Sequence, residues 1–308
     1  MDKMNLNNKA AKIINFAKHQ KYKTAYKHKP EKKSMKRRTH IIAITSGKGG
    51  VGKTNIVANL GYALRKSNKK VLILDSDFGL GNLDVLLGLA PKYNLSHVIS
   101  GEKKVSQIIL DGPGGIKILP AASGIQELTN LNNEQKWKVI NNIDTIIGDY
   151  DFLLIDTAAG ITSNVLYFNV SAQEIVVVVT PEPTSITDAY ALMKVLSLQY
   201  NEKNFKLLVN CVADEQEARE VFYQISKVAD RFLNISIEYL GKVAGDKNVK
   251  IGVKKQKIIS ELVPASPASL DFKVLAKKIS LFESRIIADG ESCFFTENLV
   301  NKFADAPF

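Results

Sequence analysis

Between Ser46 and Thr54 the sequence reads SGKGGVGKT, with glycines at 47, 49, 50 and 52 followed by a lysine and a hydroxyl side chain. Glycines in such a run let backbone N–H groups converge on one anion without Cβ clashes. The closing Lys53 supplies a cation for phosphate oxygens, and the Thr54 hydroxyl supplies a ligand for a divalent metal. The spacing is that of a P-loop, so the chemistry is that of ATP held by its phosphates with Mg²⁺. The expected nucleotide contacts are Gly47, Lys48, Gly49, Gly50, Val51, Gly52, Lys53, Thr54 and Asn55. Lys53 should reach the β- and γ-phosphates.

Two further stretches place carboxylates where that chemistry needs them. Val71–Leu74 is a short apolar run ending in Asp75-Ser76-Asp77, and Phe152–Ile155 is another ending in Asp156. An aspartate closing a buried strand suits a Mg²⁺-side carboxylate, often acting through water. Asp156 fits that role, and a helix N-cap is compatible with it. Asp75 reads as either a Mg²⁺-side or a structural carboxylate. A third apolar run, Leu207–Val209, ends in Asn210. Cys211 beside it is expected to be buried as a small apolar residue.

These residues need a scaffold that brings strand ends together. Strands are expected at Ile41–Thr45, Val71–Leu74, Ile116–Leu119, Phe152–Ile155, Ile175–Val179, Leu207–Val209 and Tyr239–Val243. Helical periods intervene at Thr54–Arg65, Glu134–Ile147, Ser185–Leu198 and Glu215–Phe232, and a last one spans Leu270–Ile287. Alternating strands and helices imply an α/β fold of the P-loop NTPase kind, a mostly parallel central sheet covered by helices on both faces. In such sheets ligands sit at the carboxyl ends of the strands. The P-loop and the polar residues closing the three apolar runs are all expected there.

Composition bounds the rest. The chain has 308 residues, 45% hydrophobic and 24% charged, an ordinary globular balance. No apolar run approaches the roughly 20 residues of a membrane span. No apolar stretch follows the basic N-terminus as in a secretory signal. The two cysteines, Cys211 and Cys293, form no metal-ligand pattern, and a reducing cytoplasm is the simplest reading. The net charge is +11, yet residues 1–40 hold 13 Lys+Arg against 2 Asp+Glu, while the remainder holds 29 of each. The excess is confined to an N-terminal arm. The sum over the body is neutral, which argues against a body that coats DNA.

The string KGGVGKT, with Lys48 ahead of the usual lysine, resembles the deviant Walker A motif of the MinD/ParA family of ATPases. The resemblance spans Ile41 to Ile287. It implies a homodimer that sandwiches two ATP molecules, with Lys48 crossing to the partner's phosphates. A cation arriving that way acts as an arginine finger does. It implies that Asp77 positions the attacking water, so that Lys48, Lys53 and Asp77 form the catalytic set. Thr54, Asp75 and Asp156 are the metal-side set. It also implies that Asn210 reads the adenine edge, where an amide matches a paired donor and acceptor. Two stretches point to the flagellar branch of the family, the FlhG (FleN/YlxH) regulators. DSDFGLGNLDVLLGL (Asp75–Leu89) resembles that branch's switch pattern, and TPEPTSITDAYALMK (Thr180–Lys194) resembles its TPEPTxxTDAYAxxK stretch. The implied function is a slow, regulatory ATPase that controls flagellar number or placement by ATP-dependent dimerisation. A DNA-segregation ATPase of ParA type and a non-catalytic nucleotide-binding scaffold are the alternatives.

The expected organisation is an N-terminal extension (1–40), an ATPase domain (41–290) and a tail (291–308). In the extension, Leu6, Ala10, Ile13, Ile14 and Ala17 fall at helical spacing, and a basic linker follows. NKAAKI (Asn8–Ile13) loosely resembles the helix by which that branch engages the flagellar GTPase FlhF. In the tail, Phe295, Leu299 and Phe303 share one stripe, which suits either a helix on the inner membrane surface or one packed on the body. The arm could meet an anionic membrane or nucleic acid.

Overall fold

A computed structural model describes residues 39–121 and 130–281. The expected N-terminal helix and linker, and the tail stripe of Phe295, Leu299 and Phe303, lie outside the described residues.

Eight strands form one sheet: β1 (His40–Ser46), β2 (Val71–Asp75), β3 (Leu110–Asp111), β4 (Lys117–Leu119), β5 (Phe152–Ala159), β6 (Glu174–Val179), β7 (Asn204–Val212) and β8 (Ser236–Ala244). Their order is β3-β4-β2-β5-β1-β6-β7-β8, which puts β1 between β5 and β6. Every pairing is parallel except β3 with β4. The two-residue β3 is too short to carry a period in the sequence.

The principal helices are α1 (Lys53–Lys66), α2 (Leu83–Leu86), α3 (Leu95–Ser100), α4 (Asn133–Ile147), α5 (Ser163–Ser171), α6 (Pro183–Tyr200), α7 (Glu215–Phe232), α8 (Lys247–Lys254), α9 (Ile259–Leu262) and α10 (Pro267–Ile279). Helices cover both faces, so the strands are apolar on both sides. In β1, Ile41 and Ala43 face a core completed by α3 to α7, and Ile42 and Ile44 face one completed by α1, α9 and α10. All four are fully buried. Burial of each of the three isoleucines contributes about 1.5–3 kcal/mol, which anchors the P-loop strand at the centre.

The helix expected over Leu270–Ile287 starts earlier than expected, and the last part of that expectation, 282–287, lies outside the described residues. It begins at Pro267, because Ser266 Oγ accepts from Ser269 N at 3.3 Å and proline suits the first turn. It ends at Ile279, where the Ser280 and Leu281 N–H groups bond back to Ala276 and Lys278.

Candidate nucleotide site

The P-loop leaves β1 at Ser46 and enters α1 at Lys53. Gly52 has φ +91°, a conformation costly for residues with a Cβ, and a Cβ there would also meet the Asn210 amide. Gly47 is required differently, since a Cβ would overlap the backbone carbonyl of Asp188 on α6. At the start of α1 the first N–H groups have no intrahelical partner and carry the positive end of the helix dipole. That is an anion cradle. Lys53 reaches into it. Its side chain is buried, and Nζ donates to Ser46 Oγ at 2.6 Å. Burial lowers the Lys53 pKa, while Asp156 and Asp77 oppose that shift.

Asp75 and Asp156 are paired residues on adjacent strands. Both are buried. Asp156 accepts a hydrogen bond from the Thr54 hydroxyl, and its fully buried Oδ1 accepts none from the described residues. Desolvation pushes its pKa up to about 7, partly offset by Thr54 and Lys53. A desolvated carboxylate oxygen beside a threonine hydroxyl is a hard-oxygen donor set, which fits Mg²⁺. The donors present therefore suit a Mg²⁺-nucleotide. Asp75 is spent otherwise. Its Oδ1 accepts from Asp77 N (3.1 Å) and its Oδ2 from Leu83 N (3.3 Å), which favours the structural reading of this residue. Burial, and then Asp156, raise its pKa well above the carboxylate range.

Asp77 begins the switch loop and folds over it, Oδ1 accepting from Gly79 N (3.3 Å) and Leu80 N (3.0 Å). Ser76 Oγ donates to the Asp156 carbonyl at 2.8 Å, which ties the two carboxylate segments together.

Lys48 departs from its neighbours. Its Nζ lies on the surface and bonds Glu182 Oε2 at 2.5 Å and Thr184 Oγ1 at 2.8 Å. Both partners belong to the Thr180–Lys194 stretch, at the start of α6. Sequence reasoning missed this pairing, because no local pattern signals a contact between residues 134 apart.

Asn210 is buried under the loop and donates from Nδ2 to the Val51 carbonyl at 2.7 Å. Its amide therefore braces the P-loop, leaving Oδ1 and one proton for other partners. Cys211 is exposed, contrary to expectation. The register of β7 against β8 shifts between Asn210 and Val212, and this bulge turns Cys211 outward with φ +59°.

Comparison with known proteins agrees with this geometry. A family model described as an AAA domain matches residues 39–209. The chain is 44% identical to the antiactivator FleN of Pseudomonas aeruginosa, covering 84% of this chain and 93% of that one. It is 34% identical to the flagellum site-determining protein YlxH of Helicobacter pylori, covering 94% and 97%. Among solved structures, the septum site-determining protein MinD of Pyrococcus horikoshii, complexed with Mg-ADP, superposes with a TM-score of 0.67 at 26% identity. That match covers 80% of this chain and all of the other.

Proposed function

The chain belongs to the MinD/ParA family of P-loop ATPases, in its FlhG (FleN/YlxH) branch, and from that premise we propose that it is an ATP-dependent dimerisation switch regulating flagellar number or placement. It is an ATP hydrolase that uses ATP and Mg²⁺. The observation that carries the switch reading is Lys48. Lys53 already fills the loop from within, whereas Lys48 stands outside it, its side chain 34% exposed and that of Glu182 62% exposed. An exposed pair is worth about 0.2–1 kcal/mol, so Lys48 leaves Glu182 at little cost. Its destination, in our reading, is the nucleotide of a second subunit.

The roles then follow from position. Thr54 and Asp156 would hold Mg²⁺, which would neutralise charge on the nucleotide's phosphates. Lys53, the loop N–H groups and Asn55 bind the nucleotide, and Asn210 offers its remaining amide groups to the base. Asp77 orients the attacking water, and Asp75 orders the loop that carries Asp77. We assign residues 1–40 to partner contact, with FlhF as the partner of the N-terminal helix, and 291–308 to the inner membrane surface. Among the described residues no helix is long and apolar enough to cross a membrane. We place the protein in the cytoplasm, with peripheral contact at the inner face of the membrane.

The function is tested in the cell. If the host bears flagella, deleting the gene should change their number or position as counted by electron microscopy. A wild-type copy should restore the pattern, and a Lys53→Ala copy should not. Unchanged flagella after deletion would contradict the flagellar role while leaving the ATPase intact.

A further inference from the structure

The neutral charge of residues 41–308 conceals a strong local imbalance. Residues 242–281 hold nine lysines against three acidic side chains. Five of those lysines, Lys247, Lys250, Lys254, Lys255 and Lys257, fall within α8 and the turn after it, with no acidic residue between them. All five are exposed. None forms an ion pair with a described residue, whereas Lys48, Lys117, Lys206 and Lys242 all do. Two exposed apolar side chains interrupt them, Ile251 (42% exposed) and Val253 (39%). At 100° per residue, Lys247, Lys250 and Lys254 share the outer face of α8, with Ile251 on one flank and Val253 on the other.

The surface is held rigidly. Asp246 Oδ1 caps α8 through Asn248 N at 2.8 Å. After the helix, Gln256 Nε2 donates to the Val85 carbonyl at 2.8 Å, and Ser260 N to Asn59 Oδ1 at 3.1 Å. The lysines are therefore displayed on fixed backbone beside the switch segment.

We propose that α8 and its following turn bind an anionic phospholipid bilayer. This rests on the membrane reading above and adds an electrostatic part, on α8, to the apolar stripe of the tail. Lysines with apolar neighbours on one face match an interface where ammonium groups meet headgroups and aliphatic side chains enter the acyl boundary. A phosphate backbone would leave Ile251 and Val253 without a partner. The five cations are all lysines, point charges suited to a diffuse anionic surface rather than the forked donors that fit single phosphates. The residues assigned to the membrane, 291–308, carry three acidic side chains against Lys302 alone. Stable peripheral binding commonly needs an apolar anchor plus a polybasic patch, and α8 supplies the second.

The test uses the purified full chain with ATP and Mg²⁺, in co-sedimentation with vesicles of phosphatidylglycerol and phosphatidylcholine. Each lysine near such a surface raises partitioning about fivefold, so Lys247→Gln/Lys254→Gln/Lys255→Gln should lower it about 100-fold. Ile251→Ser/Val253→Ser should lower it at least about tenfold, at low and high salt alike. Both variants should keep wild-type ATP turnover, which shows that they fold. Lysine variants that bind as the wild type does would overturn the α8 site and leave a tail-borne membrane contact standing. A wild type that binds no anionic vesicle would overturn both. Loss of duplex DNA binding in the lysine variant, with vesicle binding unchanged, would mark a nucleic-acid face instead and also overturn the proposal.

Discussion

Replacing Lys53 with alanine is expected to lower ATP turnover by about 10²–10³-fold, since removal of one preorganised donor to transition-state charge costs that much. The effect should be large because nothing nearby can substitute. Lys53 is buried at the base of the loop, and the other loop lysine, Lys48, stands on the surface outside it. Lys53 also helps hold down the pKa of Asp156, so its loss raises that pKa further and weakens the metal side. ATP at 100 times its Kd should add about 2.7 kcal/mol to the stability of the wild type. The variant should lose most of that, read as a thermal midpoint that no longer rises with ATP. A variant that keeps both the ATP-dependent midpoint and wild-type turnover would remove Lys53 from the site.

Asp77→Ala is expected to separate binding from chemistry. Turnover should fall about 100-fold or more, the scale of a lost proton-handling or water-orienting group. ATP should still raise the thermal midpoint, and the ATP-bound protein should elute as a dimer in size-exclusion chromatography. Because Asp77 also accepts from Gly79 N and Leu80 N, alanine disturbs the loop as well. Asp77→Asn keeps an oxygen for both N–H groups and removes only the charge. If the carboxylate acts on water, the asparagine variant should be as inactive as the alanine one. Wild-type turnover with asparagine would reduce Asp77 to a loop brace.

The parts of this site legible in the sequence are those built from neighbours along the chain. Gly47 to Thr54 lie in one loop, and β1 and α1 begin or end within a residue of the expected positions. Asp75, Asp156 and Asn210 were readable because each follows a buried apolar run, yet only Asp75 ends its strand, since β5 continues to Ala159 and β7 to Val212. Contacts across the fold were not. Lys48 with Glu182, and Asn210 with Val51, join segments far apart, and no period encodes them. The outward turn of Cys211 depends on a bulge against β8, a property of pairing rather than of residue type. The basic face of α8 escaped for another reason. A charge sum over the body averages its lysines with acidic residues elsewhere, and their run over 247–257 shows only in a local window.

In our reading each active site is shared, Lys48 coming from one subunit and Asp77 from the other. This sharing is tested most directly by mixing two inactive variants, Lys48→Ala and Asp77→Ala, with ATP and Mg²⁺ and measuring turnover. In a symmetric dimer each mixed pair has one site with Lys53 and Asp77 from the first variant and Lys48 from the second. The mixture should therefore recover about one quarter of the wild-type rate, from one live site in half of the dimers. If mixed dimers form and turnover stays at the level of the separate variants, Lys48 acts within its own chain and the shared site does not exist.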